Sequence, residues 1–337
     1  MEQKPSEIGS SVTTQNPHLL EVRGLTRYFT VGSLLRPRHV HAVEDVSFAV
    51  RRGQVVALVG ESGSGKSTTI RLVARLIEAT RGEILFEGVD VIQDEPRQAS
   101  REYRRKVQMI FQDPFASLNA VHTIEHHIER PLIIHKKAEI RAERLDQIHI
   151  LLGTVGLNPP EEIARRYPHQ LSGGQRQRVA IARALAVDPE LILADEPISM
   201  LDVSIRMGVL NLIAQLKEER GLAFLYVTHD LASARYIGDE IIVMYAGRMV
   251  EGGTSEEVMQ EAAHPYTRLL ISAVPDPHAG LRTRKETGLR GEVPSLIDPP
   301  PGCPFVARCP NVTAKCHEAM PGVSQISPTH WARCYLY

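Results

Sequence analysis

No stretch of this 337-residue sequence stays apolar over the roughly 18–20 residues that a bilayer-spanning helix needs. The first 18 residues are polar, with Ser, Thr, Gln and two prolines, and they lack the apolar core of a signal peptide. Residues 1–18 therefore read as disordered. These absences predict a soluble chain made in the cytoplasm, recruited by other subunits if it works at a membrane. Charge of one sign is missing too: the formal net charge is −1, and acids and bases are mixed along the chain, so no global field points to nucleic acid or to anionic lipid. The densest basic run, Arg101–Lys106, is short, carries Glu102 and reads as a solvated helix face. Cysteine is absent from the first 302 residues. All four, Cys303, Cys309, Cys316 and Cys334, fall in the last 35. In a cytosolic chain such clustering argues for metal binding more than for disulfides.

What is present is an ordinary globular composition, 43% apolar and 23% charged, enough for a sizeable core, in a chain long enough for a main domain with an appendage. Leu20-Glu21-Val22 reads as an edge strand and Val43–Val50 as a second strand. Gln54–Val59 is a continuous apolar run, the mark of a buried central strand. It runs straight into Gly60-Glu61-Ser62-Gly63-Ser64-Gly65-Lys66-Ser67, after which Thr68–Glu78 has helical spacing. Gly82–Glu87 and Val107–Phe111 read as strands. Residues from about 114 to 170 read as helices (Ile124–Ile134, Ala138–Val155) broken by prolines at 131, 159, 160 and 168. Buried strands at Leu191–Ala194 and Ala223–Thr228 each follow a helical stretch, Gln175–Ala186 and Val209–Glu219 respectively, which indicates a mostly parallel sheet with helices on its faces. Ile241–Tyr245 and Arg248–Glu251 read as a hairpin around Ala246-Gly247. The pattern fades beyond Pro265, and a domain boundary is expected near 265–290. There is no internal repeat.

Strand, glycine-rich loop and helix form the context in which backbone N–H groups cradle phosphate oxygens. Lys66 would add charge at the β- and γ-phosphates, and Ser67 would offer a hydroxyl to Mg²⁺. A second acidic pair ends an apolar strand. Asp195 is placed to hold Mg²⁺, and Glu196, next along, to polarise an attacking water. Taken alone, that pair could equally be a helix N-terminus favouring acids.

Between the two lies Leu171-Ser172-Gly173-Gly174-Gln175, a second helix-N-terminus phosphate site. This pentapeptide resembles the signature of ABC ATPases, and residues 19 to about 260 resemble their nucleotide-binding domain. The resemblance implies an α/β P-loop NTPase fold with an inserted helical subdomain at about 114–180, an ATPase domain at 19–264, and a head-to-tail dimer sandwiching two ATPs. Each ATP would lie between one P-loop (Gly60–Thr68) and the partner's signature (Ser172, Gly173, Gly174, Gln175). Phe29, with Tyr28 beside it, resembles the aromatic that stacks on adenine, and either could equally be a half-buried strand residue. Gln112 resembles the Q-loop glutamine that senses Mg²⁺ and the attacking water. Ser199-Met200-Leu201-Asp202 resembles the D-loop, with Met where the family more often has Ala. His229 resembles the switch histidine on the γ-phosphate. No catalytic element of the family is missing.

One cassette, no long heptad run and no basic tract favour a transporter subunit over a soluble ABC protein that acts on DNA or the ribosome. His264-Pro265-Tyr266-Thr267, Ala273-Val274-Pro275, Gly291-Glu292-Val293-Pro294-Ser295, Gly302-Cys303-Pro304-Phe305 and Arg308-Cys309-Pro310 resemble the tail of oligopeptide/dipeptide importer ATPases. Residues 265–337 would then be a small, irregular, cysteine-containing C-terminal region. That likeness implies a paralogous ATPase as heterodimer partner, two transmembrane permease subunits, an extracytoplasmic substrate-binding protein and a place at the cytoplasmic face of the cell membrane. Members of the subfamily also carry nickel and oligosaccharides, so the cargo stays open. The spacing C-x5-C-x6-C-x17-C lacks the close pair typical of structural zinc. Members of the resembled subfamily carry a [4Fe–4S] cluster on matching cysteines; zinc and unligated thiols remain alternatives. The proline-rich surroundings, with few aliphatics, suggest that some staple is needed for packing.

Overall fold

In the computed structural model, residues 18–33, 36–273 and 294–337 are described. The expected disorder at 1–18 falls, apart from His18, outside them, as does most of the boundary expected at 265–290. Strands β1 (Leu20–Ser33) and β2 (Arg36–Val50) form a long antiparallel pair. Strand β3 (Val55–Val59) leads to the loop, and β4 (Arg81–Phe86) and β5 (Val89–Asp90) follow. The chain continues with β6 (Val107–Ile110), β7 (Leu191–Asp195), β8 (Ala223–Thr228), β9 (Glu240–Tyr245) and β10 (Arg248–Thr254). Short strands β11 (Ser324–Gln325) and β12 (Trp331–Ala332) come last.

Two sheets result, in the orders β2-β1-β4-β5 and β11-β12-β10-β9-β3-β8-β7-β6. β3 lies between β8 and β9 and is parallel to both, so the strand feeding the glycine-rich loop is central, as its unbroken apolar run predicts. Its residues alternate between two cores. Val55, Ala57 and Val59 join one with Phe224, Tyr226 and the helical subdomain. Val56 and Leu58 join the other with Leu20, Val22, Val43 and Val46 of the antiparallel sheet. All five are fully buried, each Val or Leu side chain contributing about 1.5–3 kcal/mol on a transfer scale.

Sequence reading errs at some element limits. β1 is not an edge strand, because β2 and β4 pair with it on either side. The helix after the loop is Lys66–Val73, shorter than expected; Arg75 then takes a left-handed conformation, φ 55°. The stretch expected to be helical holds Ile124–Ile134, Arg141–Thr154 and Pro160–Arg165; the first two pack on Gly173–Leu185 and the third packs on them. Pro131 does not break its helix. Ile124, Ile128 and Leu132 lie one turn apart and are buried, and that packing carries the helix across the missing N–H.

The C-terminal segment does not stand apart from the α/β core. β12 pairs with β10, Glu251 opposite Ala332 and Gly252 opposite Trp331. Leu296 O accepts from His41 N–H at 2.8 Å, and Ile297 bridges to Val40. Phe305 and Cys303 are buried in the main core, so packing is not left to the thiols alone. The fully buried Glu251 carboxylate accepts from Ala263 N–H at 2.7 Å and His264 N–H at 2.9 Å, and lies 2.7 Å from His330 Nε2. Among the described residues no helix is long and apolar enough to cross a membrane.

Candidate functional site

The glycine-rich loop rims a cleft of about 750 Å³ that Gly60 to Thr68 line without interruption, together with Ala42, Gln112, Glu196, His229, Leu270 and Leu296. Its curvature depends on residues without side chains. Gly65 has φ 101°, and a Cβ there would stand 2.6 Å from Ala42 O. Lys66, 4% exposed, donates to Gly60 O at 2.7 Å and Glu61 O at 2.9 Å, so its ammonium is curled within the loop. Burial lowers its pKa, against the pull of Glu196, Asp195 and Glu61. A polyphosphate would supply the opposite charge this group lacks.

Ser67 and Asp195, 128 residues apart in sequence, meet where β7 runs beside the loop: Ser67 Oγ donates to Asp195 Oδ1 at 2.9 Å. Asp195 is 2% exposed, and burial raises its pKa. A buried carboxylate beside a hydroxyl, with Gln112 lining the same adjoining cavity, offers hard oxygen donors, which suit Mg²⁺.

The chain turns sharply after β7. Glu196 sits at φ 46°, left-handed for a side chain that pays on the order of 1–3 kcal/mol for it. Its N–H donates to Val227 O at 2.9 Å, and its C=O accepts from Ser199 Oγ at 3.0 Å. Held so, its carboxylate leans into the cleft. Gln112 Nε2 donates to Glu196 Oε2 at 3.1 Å, and His229 Nδ1 stands 3.1 Å from the same oxygen. Gln112, Glu196, His229 and Lys66, expected on one reaction, thus share one cleft.

Other expected residues lie elsewhere. Phe29 is not among the residues that line the cleft; the Arg27 guanidinium covers its ring at 4.6 Å. Tyr28 donates its hydroxyl to Glu44, and its ring lies 4.1 Å from that of His41. Ser172–Gln175 are also outside this cleft. Ser172 caps the helix Gly173–Leu185 with its Oγ accepting from Gln175 N–H, while the Gln175 side chain accepts from Ser172 N–H. Gly174 is buried against Ile205, whose Cγ2 would lie 2.3 Å from a Cβ.

Cys303, Cys309, Cys316 and Cys334 all line one small cavity with His264 and Phe305. Burial pushes the Cys303 thiol up to about 11, and raises Cys309 and Cys334 as well. The donor types fit a thiolate-held group, but among the described residues no set of three or more Cys, His, Asp or Glu stands in a metal-holding arrangement. The expected cluster is therefore not supported by this geometry.

Sequence reasoning missed two kinds of residue. Ala42, Leu270 and Leu296 form an apolar wall of the cleft. Tyr266 and Arg308 grip the loop itself at Glu61. Both were visible only as parts of tail motifs, with no local signal that they reach the P-loop.

Comparison with known proteins places these features in a family. Residues 43–199 match the family model described as ABC transporter, and residues 250–316 match the one described as oligopeptide/dipeptide transporter, C-terminal region. The oligopeptide transport ATP-binding protein AppF of Bacillus subtilis is 44% identical over 323 residues, covering 95% of this chain and 97% of that one. The dipeptide transport ATP-binding protein DppF of Haemophilus influenzae is 43% identical over the same shares. Among solved structures, the dimeric post-hydrolysis state of the ATP-binding cassette MJ0796 bound to ADP and Pi matches with a TM-score of 0.61 and 31% identity, covering 70% of this chain and 98% of that one.

Proposed function

The chain is an ATP-binding and ATP-hydrolysing transport subunit that belongs to the ABC proteins of the oligopeptide/dipeptide class, and from that premise we propose that it powers peptide import as one half of a heterodimer with a paralogous ATPase. The pair would sit beneath two membrane permease subunits at the cytoplasmic face, served by an extracytoplasmic binding protein. The observation that carries the cargo class is the match of residues 250–316 to the peptide-transporter tail, joined to names of peptide transport on relatives that cover nearly the whole chain. Residues 19–264 act as the ATPase domain, with 114–180 as its helical subdomain.

In this reading Gly60–Thr68 wrap the phosphates of ATP. The backbone N–H groups supply donors, and Lys66 turns from Gly60 O and Glu61 O to the β- and γ-phosphates. Ser67, Asp195 and Gln112 would hold Mg²⁺, which neutralises phosphate charge when bound. Glu196 takes a proton from the attacking water as its oxygen bonds to the γ-phosphorus and the bond to the β–γ bridging oxygen breaks. Gln112 and His229, both on Glu196 Oε2, orient that carboxylate, and His229 stabilises charge on the departing phosphate. Support for Phe29 as the adenine platform comes from the sequence resemblance. Ser172–Gln175, outside this cleft on a capped helix N-terminus, are suited to a nucleotide on the partner.

The test is uptake. Vesicles carrying the two permeases, the partner ATPase and this chain should accumulate labelled di- or oligopeptides in an ATP-dependent manner when the binding protein is supplied. Uptake of a sugar or of nickel, with none of peptide, would overturn the cargo class.

The four cysteines are proposed to hold a [4Fe–4S] cluster. Their convergence on one cavity supports this. Thiols whose pKa is raised by burial ionise readily only once a cation is near. Protein purified without oxygen is expected to contain iron and acid-labile sulfide and to absorb visible light. Colourless, iron-free protein would remove the cluster.

A further inference from the structure

The second residue of the P-loop is held from outside the cassette, twice. Glu61 N–H donates to Tyr266 Oη at 2.8 Å. Its carboxylate accepts two bonds from Arg308, Nη1 to Oε2 at 2.8 Å and Nη2 to Oε1 at 2.9 Å, across a separation of 247 residues. This is the paired, parallel geometry in which a guanidinium binds a carboxylate most strongly. The Arg308 side chain is only 5% exposed. Its charged end lies 5.7 Å from the ring centres of both Tyr245 and Phe305, and Nη1 donates to Tyr245 Oη at 3.3 Å. Arg308 closes the short turn Val306–Arg308, with Cys303 and Cys309 on either side of that turn.

Glu61 also lines the cleft in which a triphosphate must lie. A free carboxylate there would repel a ligand carrying several negative charges, and the repulsion would be strong in a partly desolvated cleft. Pairing with a buried guanidinium cancels that charge. Tyr266 meanwhile fixes the backbone N–H at the start of the phosphate-binding turn.

We propose that Arg308 is a positioning residue of the nucleotide site: by neutralising and orienting Glu61, the cysteine-bearing tail sets the affinity of the P-loop for ATP. The inference rests on the reading of Gly60–Thr68 as the ATP site. It makes the tail a working part of the ATPase rather than an appendage.

The experiment is titration of the full-length chain with Mg-ATP, read by fluorescence of a nucleotide analogue. Arg308→Ala is expected to raise Kd about 10-fold or more, the effect of leaving one uncompensated like charge near the phosphates. Arg308→Lys, with charge but no fork, should fall between. Adding Glu61→Gln to Arg308→Ala removes the stranded carboxylate and should restore Kd to within about 3-fold of the parent. Parent-like binding by Arg308→Ala overturns the proposal. So does a double variant as weak as Arg308→Ala alone, since a purely structural role for Arg308 would not be rescued by a charge change at position 61. Should Arg308→Ala fail to fold, Arg308→Lys decides: it must bind ATP more weakly than the parent, parent-like binding being fatal. Lys66→Ala serves as the separate control. If it still binds ATP normally, the ATP-site reading has failed, and not this inference alone.

Discussion

Replacing Glu196 by Gln is expected to leave ATP binding at least as tight as the parent's while cutting hydrolysis at this site by about 10²–10⁴-fold, the range associated with loss of a positioned general base. The substitution is nearly isosteric. Its amide oxygen can still accept from Gln112 Nε2, now 3.1 Å from Glu196 Oε2, and the left-handed backbone at φ 46° is held by bonds from N–H to Val227 O and from Ser199 Oγ to C=O, which the side chain does not make. What disappears is the basic oxygen that His229 Nδ1 approaches at 3.1 Å. Binding is dominated by the loop N–H groups and Lys66, which the change does not touch. Single-turnover hydrolysis should therefore separate from equilibrium ATP binding, and the ATP-bound dimer should outlive that of the parent. The measurement requires a partner whose own site has been disabled, because a competent second site would mask the loss. Near-parental turnover under those conditions would remove Glu196 from the role of base.

How much of this site could be read beforehand follows from where each residue gets its signal. The P-loop announces itself because β3 is buried on both faces, so Val55–Val59 read as one apolar run ending in glycines. Asp195 and Glu196 stand out for the same reason at the end of β7. Only Leu20-Glu21-Val22 of β1 alternates legibly, and so reads as a short edge strand, because its pairing with β2 shifts register at Val22/Leu25, Leu25/Arg27 and Arg27/Tyr28. Each shift breaks the two-residue alternation by which a strand is recognised. The helix after the loop was read as too long because Leu76 continues the apolar spacing, although it is 56% exposed past the left-handed Arg75. Nothing local marks β12 either. It is two residues long, and it lies against β10 because Trp331 packs on Gly252, where a Cβ would stand 2.6 Å from its ring. The grip of Tyr266 and Arg308 on Glu61 belongs to the same class: contacts over more than two hundred residues leave no periodicity to read.

The second large effect is expected from Ser172→Asp, and it tests whether the working unit is a shared site. Ser172 is an exposed N-cap whose Oγ accepts from Gln175 N–H, and Asp is at least as good a cap as Ser. The helix Gly173–Leu185 and its packing should survive, as should Gly174 against Ile205. Ser172 does not line this chain's own cleft, so the chain's Kd for ATP should match the parent's. A carboxylate would nevertheless stand where the helix N-terminus offers N–H groups to an anion, replacing attraction by repulsion for any phosphate brought by a partner. ATP-driven pairing of the two subunits should be lost, and turnover of the assembled transporter should fall by about 10²-fold or more, as when one preorganised anion site is removed from a phosphoryl-transfer centre. The deficit should fall on the nucleotide bound to the partner's P-loop, which a partner carrying the only intact base isolates. If turnover stays parental while the variant folds and binds ATP, Ser172–Gln175 serve only as a helix cap, and the two-ATP sandwich fails with them. A loss confined to ATP bound by this same chain would sink the sandwich as well, since it would place signature and P-loop on one nucleotide within a single subunit.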